Sequence, residues 1–277
     1  MTKVIGFSEW HYGAEYAYES ILSIAPYVDS YCIAYAARPG RNNAYACPDT
    51  EAELRAKAQR ACDEAGTRLT WVSEYRYANR YAQRNVMFDY AAEQDADAII
   101  LTDADEVWQN ESQQPFIDAV LSGETRFYRF QFWHFWRSFD WAMQYAGGHT
   151  RPLRGYNLKY AGRKGKPDTL VKDIPPMLHF GWAQHPKYWV YKMPSSGHYH
   201  RPEHYNWFRY TWLKWTPKHG SHKMLHPYGD DRFTPLERFD KATMPTSLQA
   251  HEYFNVDIIG GHELPVLPEY AGKGNGQ

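Results

Sequence analysis

Cysteine is scarce in this sequence, and long apolar runs are missing. The three cysteines, Cys32, Cys47 and Cys62, are odd in number and show no C-x-x-C spacing, so neither a disulfide framework nor a cysteine-based zinc site is indicated. No stretch of ~18 apolar residues occurs, and the start, MTKVIGFSEWHYG, lacks a basic segment followed by an apolar one. We therefore expect a soluble, cytoplasmic protein without a membrane span.

A glycine-rich phosphate loop is missing as well. Neither G-x-G-x-x-G nor G-x-x-x-x-G-K-[ST] follows the first predicted strand, which covers residues 4–7. This absence disfavours dinucleotide-dependent enzymes and P-loop NTPases. A nucleotide phosphate bound to this chain would have to be held by a metal ion instead.

Charge is balanced overall, with a formal net charge of −1, but it is divided along the chain. Residues 1–150 carry 13 Lys and Arg against 21 Asp and Glu, whereas residues 151–250 carry 17 against 7, together with eight of the 13 histidines. The second region is also rich in Tyr and Trp. It fits contact with a polyanion or with stacked bases or sugars, although a solvated basic face over an aromatic core explains it equally well.

The first hundred residues alternate between strand and helix patterns. We predict strands over residues 4–7, 30–35, 69–72 and 98–102. Helices are predicted over residues 13–25 and 79–93, and between the capping-box residue Thr50 and the stop residue Gly66. Alternation of this kind is typical of a parallel sheet.

The most informative stretch is Ala98-Ile-Ile-Leu-Thr-Asp103-Ala-Asp105-Glu106, in which an apolar run ends in three carboxylates. The apolar part fits a central strand buried on both faces, and ligands of open α/β sheets lie beyond the carboxyl ends of such strands. Asp103 and Asp105 are two residues apart, so in extended backbone they point to the same side and can share one divalent ion. The alternative is that these carboxylates cap a helix beginning near Asp105.

These residues resemble the GT-A glycosyltransferases, particularly those like family 2. The resemblance rests on Gly13-Ala14-Glu15, on Arg84-Asn85 and above all on the D-x-D motif formed by Asp103 and Asp105 after four alternating strands. Two later segments are similar to parts of a subset of these enzymes, namely Arg151-x-x-Arg154 and Met177-Leu-His179-Phe-Gly-Trp182. The resemblance implies a Rossmann-like, mostly parallel sheet flanked by helices, followed by an aromatic-rich acceptor region. It also implies transfer of a sugar from a nucleotide sugar, first of all a UDP-sugar, with Mn²⁺ or Mg²⁺ on the diphosphate.

The resemblance implies roles for particular residues. Asp103 would approach the ribose or the metal, Asp105 would ligate the metal directly, and His179 would be the third protein ligand. Without the resemblance, a histidine between apolar neighbours such as His179 is more typical of a core position. Arg84 would contact the nucleotide or brace Asp103, and Glu106 would orient a ligand. The base would be bordered by Phe7, Ser8 and Glu9.

A general base is harder to assign from the sequence. An inverting transferase needs a carboxylate that deprotonates the acceptor hydroxyl, whereas a retaining one does not. Asp173, just before the His179 segment, is the first candidate, and Glu203 and Asp140 follow. The stereochemistry is left open.

The second half of the chain has a less regular pattern. We predict strands over residues 126–135 and 177–182, and a strand or a hairpin over residues 151–160. A basic loop is predicted over residues 161–167, and helices and loops over residues 188–228 that cover the carboxyl edge of the sheet. Histidines at 198, 200 and 204, and at 219, 222 and 226, have spacings that a zinc site can use, but histidine-rich surface loops are common.

The sequence thus predicts a nucleotide-sugar-binding half over residues 1–110, an acceptor-binding and metal-completing half of the same domain over residues 111–270, and a disordered tail over residues 271–277. The expected function is a metal-dependent glycosyltransferase. A modified base in DNA is the first expectation for its acceptor, and a protein or surface saccharide is the second. Two other functions stay open, a sugar nucleotidyltransferase and a non-catalytic protein that binds carbohydrate or nucleic acid.

Overall fold

Two β-sheets and the helices packed on them make up the described part of the chain. A computed structural model describes residues 2–38, 46–145, 151–160, 168–195, 202–216, 218 and 233–258. The strands are β1 (Val4–Trp10), β2 (Ser30–Ala36), β3 (Arg68–Glu74), β4 (Ala98–Leu101), β5 (Glu106–Val107), β6 (Phe127–Arg129), β7 (Phe132–Trp136), β8 (Trp141–Gln144), β9 (Leu153–Asn157), β10 (Thr169–Leu170), β11 (Met177–Trp182) and β12 (Glu237–Arg238).

The helices fall mainly between the first strands and after the last long one. They are α1 (Ala17–Leu22), α2 (Glu51–Ala65), α3 (Arg80–Glu93), α4 (Gln113–Leu121), α5 (Pro186–Ser195), α6 (Pro202–Trp207) and α7 (Thr246–Gln249). Short 3₁₀ turns cover Ala25–Tyr27 and Lys241–Thr243, and a π-helical turn covers Phe208–Trp212. Among the described residues, no helix is both long enough and apolar enough to cross a bilayer.

The larger sheet has seven strands in the order β10-β6-β9-β4-β1-β2-β3. Strands β1, β2, β3 and β4 are all parallel to one another. Strand β9 lies between β4 and β6 and is antiparallel to both. This arrangement confirms an α/β fold with a mostly parallel central sheet flanked by helices.

Both faces of this sheet are covered, because alternate residues of each strand point in opposite directions. Ile5 and Phe7 pack with Met87 and Tyr90 of α3, whereas Ile33 and its neighbours pack with residues of α1, α2 and α4 on the other face. Burial on both faces explains why the central strands are almost entirely apolar.

Helix α2 forms between the residues that the sequence indicates. The Thr50 side chain accepts a hydrogen bond from the Glu53 amide at 3.2 Å, and Gly66 ends the helix in a left-handed conformation with φ of 69°.

The prediction of a helix over residues 13–25 is wrong at both ends. Gly13 has φ of 120°, and the amides of Gly13 and Ala14 donate to the Asp49 carboxylate instead of starting a helix. Helix α1 begins at Ala17 and ends at Leu22, and a 3₁₀ turn containing Pro26 follows. The sequence pattern does not reveal that a distant carboxylate holds these amides.

The smaller sheet has five strands in the order β12-β8-β7-β11-β5. The single strand predicted over residues 126–135 is in fact two strands, β6 in the larger sheet and β7 in the smaller one. The chain changes sheets at Phe130, whose amide donates to the Pro152 carbonyl at 3.1 Å, and at Gln131, whose carbonyl accepts from Met177 at 3.0 Å. Aromatic residues on both sides of Phe130 conceal this break.

The two sheets are joined by the turn that follows β4. Residues 102–105 leave β4 in the larger sheet, and β5 then pairs antiparallel with β11 in the smaller sheet. Because β5 begins at Glu106 and the next helix begins only at Gln113, the alternative that Asp103 and Asp105 cap a helix is wrong.

Some predictions fall outside the described residues. These are the basic loop over residues 161–167, the tail over residues 271–277 and the histidine clusters, of which His204 lies in α6 with its side chain outside the description.

Candidate functional site

A cavity of about 420 Å³ opens at the carboxyl ends of β1 to β4. Strands β1 and β4 are neighbours there, although β1 continues to β2 and β3 on the other side, so this is the switch point at which open α/β sheets bind ligands. The lining residues come from the ends of all four strands and from β11 and α5: Glu9, Trp10, His11, Tyr12, Gly13, Ala36, Arg38, Tyr77, Asn79, Gln83, Asp103, Ala104, Asp105, His179, Gln184 and Lys192.

The buried carboxylate of Glu106 stabilises the acidic turn over residues 103–106. It accepts a hydrogen bond from the Asp103 amide at 3.0 Å and another from the Arg154 guanidinium. Arg154 also lies 2.9 Å from the Asp103 carboxylate. Burial raises the pKa of Glu106, and the adjacent Arg154 opposes that shift. Arg154, on β9, therefore fixes both ends of the turn.

Asp105, Glu106 and His179 bring their ligand atoms within 4.8 Å of one another. His179 Nε2 is 3.8 Å from Asp105 Oδ2. Two ligands bound to one cation at ~2.1 Å each are separated by roughly 3–4 Å, so this spacing fits a Mg²⁺ or Mn²⁺ ion. Burial lowers the pKa of His179 to about 4, which leaves the ring neutral and able to coordinate at neutral pH.

His134 on β7 orients the His179 ring. The Nδ1 atoms of the two rings are 2.8 Å apart, which leaves His179 Nε2 as the nitrogen facing Asp105. Metal-binding histidines commonly use their second nitrogen in this way. The sequence does not reveal this role of His134, because the residue lies within the aromatic run of residues 130–136.

Gly181 makes room for this arrangement. A Cβ atom at this position would lie 2.5 Å from His179 Cε1, 2.7 Å from its Nε2 and 3.2 Å from Asp105 Oδ2. Any larger residue would therefore displace the ring or the carboxylate. In the same way, a Cβ on Gly13 would lie 2.7 Å from the Cβ of Ala104, inside the acidic turn.

Asp103 and Asp105 both line the cavity, as the motif predicts, but their neighbours differ. Asp105 accepts from Gln184 Nε2 at 3.0 Å and lies 3.9 Å from Lys192 Nζ. Asp103 instead pairs with Arg154, and the cluster within 4.8 Å contains Glu106 in its place.

The residues expected around the base are only partly in the cavity. Glu9 lines it, and Arg84 holds the Glu9 carboxylate with two hydrogen bonds of 3.0 Å. Phe7 is buried in the core against α3. Ser8 is buried as well, and its hydroxyl bonds Tyr31 and the Thr102 carbonyl.

The general-base candidates lie elsewhere or outside the description. Asp173 is exposed in the loop between β10 and β11 with φ of 63°, and it is not among the described residues that line the cavity. Asp140 forms an ion pair with Lys241 at 3.0 Å. Glu203 lies in α6, and its side chain is outside the described part of the chain.

Three further residues of the site carry no sequence signal of their own. Gln184 and Lys192 reach Asp105 from the end of β11 and from α5. Asp49 accepts hydrogen bonds from Gly13, from Ala14 and, at 2.6 Å, from the Tyr188 hydroxyl, which ties the cavity wall to α5. Their partners are 35 or more residues away, and no local pattern encodes such contacts.

Comparison with known proteins adds no family. No protein-family profile matches this chain, and no curated protein matches it. Among solved structures, the crystal structure of a mycobacterial protein is similar over 50% of this chain and 42% of its own, with 14% identity and a TM-score of 0.30. A likeness this low supports no conclusion about fold or function.

Proposed function

We propose that this protein is a metal-dependent glycosyltransferase of the GT-A type that uses a nucleotide-sugar donor. The observation that carries the proposal is the placement of Asp105 and His179 beside Asp103 at the mouth of the cavity between β1 and β4. Oxygen ligands and a neutral imidazole suit Mg²⁺ or Mn²⁺. The absence of a glycine-rich phosphate loop is consistent with this arrangement, since a cation replaces it.

Different residues of the cavity are proposed to contact different parts of the donor. Asp105 and His179 would hold the cation, which neutralises the diphosphate as it binds and as it leaves. Lys192, whose ammonium lies 3.9 Å from Asp105, is placed to contact a phosphate oxygen next to the cation. Tyr77 and Gln83 also line the cavity, and an aromatic ring and an amide are suited to bordering a base.

The acceptor proposed for this enzyme is a base in DNA. The support is the charge of residues 151–250, which carry 17 Lys and Arg against 7 Asp and Glu, together with many aromatic residues. Aromatic faces with surrounding cations stack extruded bases and track a phosphate backbone. A saccharide or protein acceptor is the competing assignment.

A thermal-shift screen tests the donor site directly. UDP-, GDP-, CMP- and ADP-sugars are added to the wild-type protein and to Asp105→Asn, each with and without Mn²⁺. We expect one nucleotide to stabilise the wild type only with Mn²⁺. At a hundredfold excess over Kd the gain is about 2.7 kcal/mol, which raises Tm by roughly 5–10 °C in a chain of this size.

The matched control is Asp118→Asn, which changes an exposed aspartate on α4 that accepts a hydrogen bond from the Gln114 side chain at 2.8 Å. It should respond to donor and Mn²⁺ like the wild type. If no nucleotide shifts the wild type with any metal, or if Asp105→Asn retains the full shift, the donor site proposed above is wrong.

A further inference from the structure

Gln184 is buried at the cavity wall, and its side-chain amide makes a hydrogen bond through the nitrogen but not through the oxygen. Its exposed fraction is 2%, and Nε2 donates to Asp105 Oδ2 at 3.0 Å. Oε1 is buried without a hydrogen-bond partner among the described residues. A buried acceptor without a donor is unfavourable, so this oxygen is available to a ligand that enters the cavity.

The orientation of the amide follows from the carboxylate beside it. With Nε2 toward Asp105 an N–H meets an oxygen, whereas the reverse orientation would set two oxygens against each other. A cation bound at Asp105 Oδ2 reverses this preference, because it repels an N–H group and attracts a carbonyl oxygen. The terminal torsion of glutamine is broad and roughly two-fold, and exchanging oxygen and nitrogen by rotation needs little additional volume.

The backbone on both sides of Gln184 is fixed, so the side chain stays within reach of the cation site. The Ala183 amide donates to Phe180 at 2.8 Å, and its carbonyl accepts from the Tyr16 hydroxyl. The His185 amide donates to both oxygens of Glu15 at 3.1 Å. These bonds leave rotation of the side chain as the available movement.

We propose that Gln184 is a switchable ligand of the cation: its amide holds Asp105 in place when the site is empty and turns to coordinate the cation through Oε1 when it is filled. Amide oxygens are ordinary ligands of hard divalent ions. The ligand set is then two oxygens and one imidazole nitrogen, from Asp105, Gln184 and His179. This inference rests on the cation site of the proposed function and adds a ligand to it.

Mn²⁺ binding to the full-length protein tests the proposal without any enzyme assay. Free Mn²⁺ is measured by electron paramagnetic resonance for the wild type, for Gln184→Met, which keeps the size and removes the amide, and for Gln184→Glu, which keeps an oxygen. We expect Gln184→Met to weaken Mn²⁺ binding about 10–100-fold, and Gln184→Glu to bind at least as tightly as the wild type.

The chain provides a matched control in Gln113. This residue is also buried, donates from Nε2 to the Ser23 carbonyl at 3.0 Å and has an unpartnered Oε1, but it lies on α4 and is not among the described residues lining the cavity. Gln113→Met should cost comparable stability and leave Mn²⁺ binding unchanged. Should Gln184→Met fail to fold, Gln184→Asn makes the same distinction, since it keeps the amide and shortens its reach.

Eu³⁺ luminescence lifetimes in H₂O and D₂O separate a ligand from a residue that only orients Asp105. Loss of a ligand admits one additional water to the ion in Gln184→Met, whereas loss of an orienting contact leaves the water count unchanged. An unchanged water count, or unchanged Mn²⁺ affinity in Gln184→Met while Asp105→Asn loses it, overturns the proposal for Gln184 alone. If the wild type takes up no Mn²⁺, the cation site itself is wrong and both proposals fall.

Discussion

At the scale of single residues, the candidate site depends on close contacts between side chains with no room for an added atom. His134, His179 and Asp105 form a continuous chain of contacts, with 2.8 Å between the two rings and 3.8 Å from the second ring to the carboxylate. Gly181 lies against the last two members. A single methyl group added at Gly181 would therefore shift the position of His179 Nε2.

Gly181→Ala should therefore separate metal binding from folding. Its Cβ would lie 2.5 Å from the His179 ring, so the ring must move, and we expect Mn²⁺ affinity to fall at least about tenfold. Gly6→Ala is the comparison, since its Cβ would collide with the Tyr31 ring inside the larger sheet. It should lower Tm and leave Mn²⁺ affinity intact. Equal affinity in Gly181→Ala and the wild type would show that His179 is not a ligand.

At the scale of elements, the cavity is formed by loops that distant carboxylates hold in place. Asp49 and Glu15 each connect the start of α1 with the α5 region, Asp49 through Tyr188 and Glu15 through the His185 amide. Both are largely buried, so their hydrogen bonds are shielded from water. These two residues set the position of the wall that carries Gln184 and Lys192.

Asp49→Ala should destabilise the protein by about 3 kcal/mol, because it leaves the Gly13 and Ala14 amides and the Tyr188 hydroxyl without their charged acceptor. Urea unfolding followed by tryptophan fluorescence measures the loss. Asp63→Ala removes an exposed carboxylate that accepts a hydrogen bond from the Gln59 side chain, and it should change stability by less than about 0.5 kcal/mol. A similar loss in both variants would contradict the anchoring role of Asp49.

Glu15 should make stability fall as the pH rises. Burial raises its pKa to about 8, although the Tyr253 hydroxyl, the His185 amide and Lys187 oppose the shift and Asp49 adds to it. The folded state then binds more protons than the unfolded state between pH 4.5 and 8, so the stabilising contribution is complete below pH 4.5 and is lost as the pH approaches 8. The slope from this group is at most about 1.4 kcal/mol per pH unit.

The measurement is Tm from pH 5 to 9 for the wild type and for Glu15→Gln, which cannot ionise. We expect a flatter curve for Glu15→Gln, whereas Glu93→Gln, an exposed position on α3, should follow the wild type. Parallel curves for the wild type and Glu15→Gln would show that Glu15 does not govern this dependence.

Periodicity and capping residues predicted the first four strands, α2 and the acidic turn, because those signals lie within a few residues of one another. The break between β6 and β7 was not predicted, since Phe130 is as apolar as the strands around it. The roles of His134, Gln184 and Asp49 also could not be predicted, because each acts through a partner far along the chain. The resemblance to GT-A enzymes named Asp105 and His179, and the fold brings them to 3.8 Å.

At the scale of the whole molecule, charge is distributed unevenly. The formal charge is −8 over residues 1–150 and +10 over residues 151–250, from 13 against 21 and 17 against 7 ionised side chains. The acidic half carries the D-x-D turn, which is proposed to bind a cation. The basic half is the part proposed to hold the acceptor.

If the acceptor is DNA, the protein should bind a single-stranded oligonucleotide. The logarithm of its association constant should fall linearly with the logarithm of the salt concentration, with a slope of about −0.7 for each phosphate contacted. Fluorescence anisotropy between 50 and 200 mM salt measures this slope in the wild type and in Asp105→Asn, which should bind the strand equally well. Absence of binding at the lowest salt would favour a saccharide or protein acceptor.

The turn over residues 102–105 belongs to both sheets, since it leaves β4 in one and enters β5 in the other. Asp105 faces His179 only while β5 stays paired with β11, and the turn keeps its shape only while β4 stays paired with β1 and β9. The fragments on either side of this turn are therefore not separable binding modules, and we expect a split of the chain there to abolish the proposed cation site even if each sheet persisted. We expect an insertion or a circular permutation at this connection to separate the same two strand pairings.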